Sequence, residues 1–480
     1  MKICIIAEGS YPFITGGVSS WIQTLITNME EHQFIIYAIA AEEKFKGNYK
    51  YELPPNVIEV KELFLESYIK KKGSFGKHYN LGKNSNSSIE SLITGDDFDW
   101  SSLIKLIHKG KIKSIDDFFV SKDFFNIVKN AYRSKYNLLP FNEFFWMVHS
   151  MLMPLFYLVR EDLPKADIYH SVATGYAGII GSMGKIIYNK PFLLTEHGIY
   201  TREREEEIIK SNWVKGYFKD MWIRFFYNLS RCAYNESTKV TTIHSKNKEI
   251  EIDLGCDKDK ISVIPNAVNA DAFNNINKKS LKDPNINIGA ILRIVPIKDI
   301  KTMIQSFTIV KNEIPNAKFF LMGPTDEDED YYDECVKFIN MVGLKDITFT
   351  GRVNVKDYIG KMDITVLSSI SEGQPLVILE SLACKIPCVA TDVGSCRELL
   401  YGNEEYDTLG KCGFITPVMN YQKLAEAIIK LSENPDLRKQ MGEIGYKRVT
   451  SFYKKEDLIS SYKKVYYDIE RTNFYGRNRI

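Results

Sequence analysis

Four stretches carry residue types whose spacing could do chemistry. The first is Ser371 to Glu380, SEGQPLVILE. An apolar, strand-like run, Ile364 to Leu367, ends just before it in a Ser-rich turn, and Pro375 suits the first turn of a helix. The free N–H groups of such a helix, near Leu376 and Val377, point at an anion. Glu372 stands before the helix and Glu380 inside it. One carboxylate then meets a ligand beyond its phosphate and the other meets it behind, a grip suited to a diphosphate with a sugar at each end. The same residues also suit a plain capped helix with two solvated glutamates.

The second stretch holds Arg293 and Lys298, just after a predicted strand, Asn287 to Arg293. Two cations at the carboxyl end of a parallel strand stand where α/β folds bind ligands. They can neutralise a diphosphate, Arg as a fork and Lys as a point charge. A solvated strand end explains them equally well. The third is Gly9 to Gly17 (GSYPFITGG), where Gly16-Gly17 opens a helix from Val18 to Met29. Paired glycines let backbone N–H groups approach a phosphate closely. An ordinary glycine turn fits too, and neither a Gly-x-Gly-x-x-Gly nor a Walker pattern is present, so kinase and dehydrogenase chemistry lose support. The fourth is Thr195 to Tyr200, with His197 beside Gly198 at the end of a strand. A lone histidine is more often structural. The runs Thr201 to Glu207 (TREREEE) and Asp326 to Asp330 (DEDED) read as a solvated helix start and a solvated loop.

Positioning these groups is the work of short apolar runs that alternate with helical patterns through both halves: Lys2–Ala7, Phe34–Ala40, Phe192–Thr195, Val240–Ile243, Lys318–Met322 and Pro387–Ala390. Buried parallel strands read as continuous apolar runs, and strand–helix alternation predicts α/β sheets covered on both faces. A chain of 480 residues exceeds one core. The segment Ile264 to Asn269 (IPNAVN) reads as a junction near residue 268. That gives a first domain over 1–268 with an irregular insertion at about 61–140, and a second over 269–452. The amphipathic helix in 453–480 is expected to cross back to the first. Phe144 to Val159 is strongly apolar but short of the ~20 residues of a membrane span, and reads as a buried core helix. Trp213 to Tyr227 (WVKGYFKDMWIRFFY) is aromatic and basic, with core packing the default and a docking surface the alternative. Lys plus Arg total 63 against 61 acids, which leaves no electrostatic footprint for nucleic acid. The eight cysteines show no metal-ligand spacing and fit a reduced, cytoplasmic protein.

Taken in order along the chain, these stretches resemble the retaining GT-B glycosyltransferases of family four, and beyond them the PelF-type subgroup associated with Pel exopolysaccharide. The likeness is carried by AEGSYPFITGGVSSW (7–21), TGYAGIIGS (174–182), LLTEHGIYTRERE (193–205), RIVPIKDIKT (293–302), MGPTDEDEDYYDEC (322–335), TGRVNVKDY (350–358), SEGQPLVILESLA (371–383) and ATDVGSCRELL (390–400). The resemblance implies two Rossmann-like domains facing each other across a cleft. It implies that Glu380 binds the ribose hydroxyls, that Glu372 contacts the donor sugar, and that Arg293 and Lys298 hold the diphosphate. Gly373, Gln374, Leu376 and Val377 would line the same donor site, and Gly351-Arg352-Val353 would lie near the base. Gly16 and Gly17 would approach the phosphates, and His197 would line the sugar site. The chain departs from the wider family at Ala267 and Asn269, where Gly and Asp are usual, and at Gly373, where the subgroup often has Ala.

The implied reaction is transfer from a UDP-sugar, UDP-glucose being the guess, to a glycan acceptor with retention of configuration. No cofactor is expected. No Asp-x-Asp pair stands at a strand end in the first half, so fixed cations take the place of a metal. Peripheral docking to an inner-membrane polysaccharide synthase complex is a further implication. A non-catalytic nucleotide-sugar-binding scaffold, a GT-B epimerase and a phosphorylase are the alternatives.

Overall fold

The computed structural model describes residues 1–69, 73, 76–280 and 282–477. The chain divides into two compact units, Met1–Ile264 together with Ser461–Ile480, and Pro265–Ser460. The first division falls four residues before the junction at 268, and the return falls eight residues after 453.

The first unit holds seven parallel strands: β1 (Lys2–Glu8), β2 (Gln33–Ala40), β3 (Val57–Phe64), β4 (Ile168–Ser171), β5 (Phe192–Glu196), β6 (Lys239–Thr242) and β7 (Ile261–Val263). Their spatial order is β3-β2-β1-β4-β5-β6-β7. The chain winds outward from β1 to β3 and then restarts on the other side of β1, which puts a switch point between β1 and β4. Ile3 to Ala7 are wholly buried, as a central parallel strand requires.

The insertion is not irregular. Between β3 and β4 run the helices Lys83–Thr94, Trp100–His108, Ile115–Phe119, Lys122–Ala131 and Phe141–Arg160. Asp99, Ser114 and Ser121 cap three of them by accepting backbone N–H bonds. Apolar residues one turn apart, such as Ile89, Leu92 and Ile93, join a core that reaches β1, β2 and the buried face of Phe141–Arg160. No helix among the described residues is long and apolar enough to cross a membrane. Most aromatics of Trp213–Tyr227 are core: Phe218, Trp222, Phe225 and Phe226 are buried, while Trp213 and Tyr217 are exposed.

The helix Lys455–Arg477 ends in the first unit. Tyr462, Tyr466 and Ile469 are buried there at helical spacing. Tyr466 Oη lies 2.7 Å from His170 Nδ1, and His170 Nε2 lies 2.7 Å from Thr195 Oγ1. Burial pushes the His170 imidazole down to about 3, so the ring is neutral and both nitrogens are satisfied by hydroxyls.

The second unit has six parallel strands in the order β10-β9-β8-β11-β12-β13. They are β8 (Ile286–Ile291), β9 (Ala317–Met322), β10 (Ile347–Gly351), β11 (Ile364–Leu367), β12 (Cys388–Thr391) and β13 (Gly413–Thr416). Its switch point lies between β8 and β11. The wholly buried Arg448 is gripped by Asp407, with Nη2 at 3.2 Å from Oδ1, and donates to the carbonyls of Leu400 and Gly410 at 3.1 and 2.6 Å. It ties the helix Pro435–Phe452 to the loop before β13.

Candidate active site

In the second unit the loops leaving β8 and β11 meet at the switch point, where open α/β sheets bind ligands. Backbone bonds fix the two loops together. Ile370 N donates to Ile297 O at 2.9 Å, and Ser368 Oγ donates to the carbonyls of Lys298 and Asp299 at 2.8 and 2.9 Å. This brings Lys298 and Glu372 into direct contact: Nζ donates to Oε1, and Ser369 Oγ donates to the same oxygen at 2.5 Å. Both side chains are mostly buried, 16% and 13% exposed, so the pair is poorly screened by water.

Four residues after Glu372 the helix Leu376–Ala383 begins, with Pro375 as its N-cap rather than inside its first turn. No side chain caps it, so its first N–H groups are left for another acceptor. Gly373 is pressed by the turn after β12: Ser395 N donates to its carbonyl at 2.9 Å. Gly394 there has φ +50°, and a Cβ on it would stand 2.2 Å from that carbonyl. Gln374 turns inward, its Oε1 accepting the backbone N–H of Asn266 at 2.6 Å. The carboxyl of Glu380, one helical turn further, makes no hydrogen bond or ion pair to a described residue. Burial pushes its carboxyl up to about 7, with Lys356 pulling the other way. A half-buried carboxyl with no donor of its own is suited to accepting hydroxyl donors from a ligand.

Arg293 is exposed, and its Nη1 lies 3.0 Å from Glu327. Glu327 belongs to the acidic run read as a solvated loop. The run has a second task, since Asp328 caps the helix Glu329–Val342 by accepting from Tyr331 N at 3.0 Å. Gly351 ends β10 with φ +68°, a conformation that favours glycine. Arg352 beyond it is exposed and Val353 half-buried.

In the first unit a 470 Å³ cavity opens at the carboxyl ends of β1, β2, β4 and β5. Its lining includes Glu8, Ser10, Glu196, His197, Tyr200 and Arg204. Glu8 closes β1 and accepts from Ala177 N at 3.0 Å and Tyr200 Oη at 2.9 Å. Glu196 closes β5 and accepts from Tyr234 Oη at 2.6 Å and Tyr200 N at 3.1 Å. Burial raises both carboxyls, Glu196 to about 7. His197 packs edge-on against Trp21 at 4.6 Å, and burial lowers it to about 4, so its ring is neutral at pH 7. Its Nε2 is buried with no partner among the described residues.

Gly16 and Gly17 begin the helix Gly17–Thr27 that carries Trp21. Nothing lies within 4 Å of where either Cβ would stand, and Gly16 is extended. The fold of the chain does not itself demand glycine at these positions. Sequence reasoning passed over Glu8, Tyr200 and Arg204 as site residues. The available signal was a carboxylate closing an otherwise apolar buried strand, KICIIAE, a pattern repeated at FLLTE.

Two doubly wound parallel sheets, each with polar groups gathered at its switch point, define a GT-B glycosyltransferase fold of two Rossmann-like units. The chain belongs to the family described as Domain of unknown function (DUF3492), whose model matches residues 1–259, and residues 271–448 match Glycosyl transferases group 1. It is a glycosyltransferase acting on sugar donors.

Among solved structures it is similar to sucrose-phosphate synthase from Thermosynechococcus elongatus, with a TM-score of 0.62, 14% identity, and 98% and 99% of the two chains covered. It is also similar to Anabaena HepE in complex with UDP and glucose, with a TM-score of 0.61, 15% identity, and 98% and 100% covered. Likeness at this identity concerns the fold. N-acetyl-alpha-D-glucosaminyl L-malate synthase of Bacillus anthracis is 27% identical over 183 residues, 38% of this chain and 45% of that protein, so the match spans under half of that relative. UDP-Gal:alpha-D-GlcNAc-diphosphoundecaprenol alpha-1,3-galactosyltransferase of Escherichia coli is 26% identical over 296 residues, 59% of this chain and 70% of that one.

Proposed function

We propose that the protein is a retaining hexosyltransferase that moves a sugar from a UDP-sugar, with UDP-glucose the first choice, to a growing glycan in exopolysaccharide synthesis. The observation that carries this reading is the Lys298–Glu372 pair beside the uncapped helix start at Leu376, with Glu380 in the same helix. Glu380 takes the ribose hydroxyls and the helix N–H groups take the diphosphate. As the bond from the anomeric carbon to the β-phosphate breaks, negative charge grows on the phosphate. Lys298 and Arg293 answer that charge, with Lys298 passing from Glu372 to the phosphate and Glu372 turning to the sugar hydroxyls. The acceptor hydroxyl attacks the face the phosphate leaves, and its proton goes to a departing phosphate oxygen.

UDP and UDP-glucose complexes of HepE support the choice of donor. The resemblance to the PelF-type subgroup supports exopolysaccharide as the product, and with it a cytoplasmic enzyme that docks at an inner-membrane synthase complex. Trp213 and Tyr217, the exposed aromatics of their segment, are the docking candidates. Fixed cations in place of a metal predict that EDTA leaves transfer unchanged, and activity lost to EDTA and restored by a divalent ion refutes that part.

Calorimetric titration of UDP, GDP and ADP into wild type and Glu380→Ala tests the donor site. Selective UDP binding, lost in the variant, is the expected result. Equal UDP affinity in a folded Glu380→Ala removes the assignment, and binding of GDP or ADP alone moves the donor to another nucleotide class.

A further inference from the structure

Trp21 stands at the centre of a block of rings in the first unit. It lies in the helix Gly17–Thr27 and is 5% exposed. Three rings meet it edge-on: His197 at 4.6 Å, Tyr462 at 5.1 Å and His170 at 5.8 Å between ring centres. Edge-to-face packing of this kind fixes the orientation of a ring as well as burying it.

Two of the three rings are held independently of Trp21. His170 is bonded at both nitrogens, and Tyr462 Oη lies 3.2 Å from Thr241 Oγ1 and 3.4 Å from Thr195 Oγ1. Those two threonine hydroxyls are themselves 2.6 Å apart, so β5, β6 and the returning helix Lys455–Arg477 share one hydrogen-bond network. The third ring, His197, has no such support. Neither of its nitrogens is hydrogen-bonded to a described residue, and Nε2 is buried. Burial keeps the ring neutral at pH 7, so its contact with Trp21 is packing and not a cation over a ring. The backbone beside it is fixed, since Glu196 Oε1 accepts the Tyr200 N–H at 3.1 Å. What remains free is rotation of the side chain, and Trp21, wedged between Tyr462 and His197, limits that rotation. A neutral imidazole with an unpartnered nitrogen exchanges hydrogen bonds with a sugar hydroxyl, and it does so to most effect when its geometry is set before the sugar arrives.

We propose that Trp21 is a positioning residue of the transfer: backed by Tyr462 of the returning helix, it holds the His197 ring, which lines the cavity at the ends of β1 and β5, in the orientation that meets the sugar. The inference rests on the glycosyl-transfer reading above, with His197 at the sugar site.

The test uses the full chain as wild type, Trp21→Phe, Trp21→Leu, Tyr462→Leu and His197→Ala, each with a melting curve to confirm its fold. Carbon-13 relaxation of labelled histidine, with the His197 signal assigned by its loss in His197→Ala, reads the order of that ring. Wild type and Trp21→Phe should show an ordered ring, and Trp21→Leu and Tyr462→Leu should lose that order. Sugar release from UDP-glucose gives the second readout. Its kcat should fall by ~10–100-fold in Trp21→Leu, recover in Trp21→Phe, and fall no further in Trp21→Leu/His197→Ala than in His197→Ala alone. Wild-type ring order in folded Trp21→Leu or folded Tyr462→Leu, or losses in kcat that multiply in the double variant, overturns the proposal. Tyr462→Leu, which leaves Trp21 in place, carries the ring measurement should Trp21→Leu not fold. That measurement needs no turnover, so it decides whatever the donor sugar. UDP titrated into wild type keeps the two readings apart. Ring order lost in Trp21→Leu with no UDP bound by wild type sinks the donor reading alone, and UDP bound with ring order unchanged in Trp21→Leu sinks the positioning role alone.

Discussion

At the scale of single residues, the site is built on an ion pair that already neutralises itself. Lys298 and Glu372 are each other's partner in a mostly buried setting, so removing either leaves a poorly solvated charge. Lys298→Ala should therefore lower kcat/KM by ~10²–10³ through lost stabilisation of the leaving phosphate. Steady-state kinetics together with a melting curve check this, and wild-type turnover in a folded variant would remove Lys298 from the mechanism. Glu380 gives a pH signature. Its free carboxyl sits at about 7, and ribose hydroxyls donate best to the ionised form, so nucleotide binding pulls that pKa down and releases a proton. UDP affinity should rise as the pH climbs from 6 to 8 and level off above that. Titrations in buffers of different ionisation enthalpy read the proton directly, and Glu380→Gln should flatten the profile.

At the scale of elements, legibility followed sequence locality. The loops after β8 and β11 were readable because a polar group following a continuous apolar run is a local signal. The insertion reads as irregular because its first helix, Lys83–Thr94, is rich in Ser and Asn, although Ile89, Leu92 and Ile93 already show helical spacing. Gln374 lies in a stretch read as donor-lining, yet it points at Asn266, 108 residues away, a contact no local pattern announces. The same holds for Arg448 and Asp407, 41 residues apart. Asp407→Ala strands a wholly buried guanidinium and should cost about 3–5 kcal/mol, read as a lower denaturant midpoint. A cost under ~1 kcal/mol would mean that the carbonyls around Arg448 suffice without the carboxylate.

At the scale of the whole molecule, the alternation of apolar runs and helices was enough to give two parallel α/β units, because buried parallel strands leave little freedom in pattern. Where the chain returns was less visible, since the helix Lys455–Arg477 runs unbroken past the division at Ser460/Ser461. The first unit depends on that return. Tyr466→Phe removes the hydroxyl beside His170 and leaves a buried ring nitrogen unpaired, at a cost of about 1–3 kcal/mol to the first unit. Hydrogen exchange should show faster opening of β4 and β5 with β8 and β11 unchanged. Uniform loosening of both units would contradict this.

The return of the chain also sets an order on biosynthesis. His170 waits for Tyr466, 296 residues downstream. At ~5–20 residues per second, that interval is about 15–60 s during which the leading portion of the nascent chain lacks the tyrosines that fill its core. The second unit, though made later, has all its strands in hand before the first is complete. The portion synthesised first is thus the last to finish, and it is the one exposed to chaperones and proteases while translation runs on.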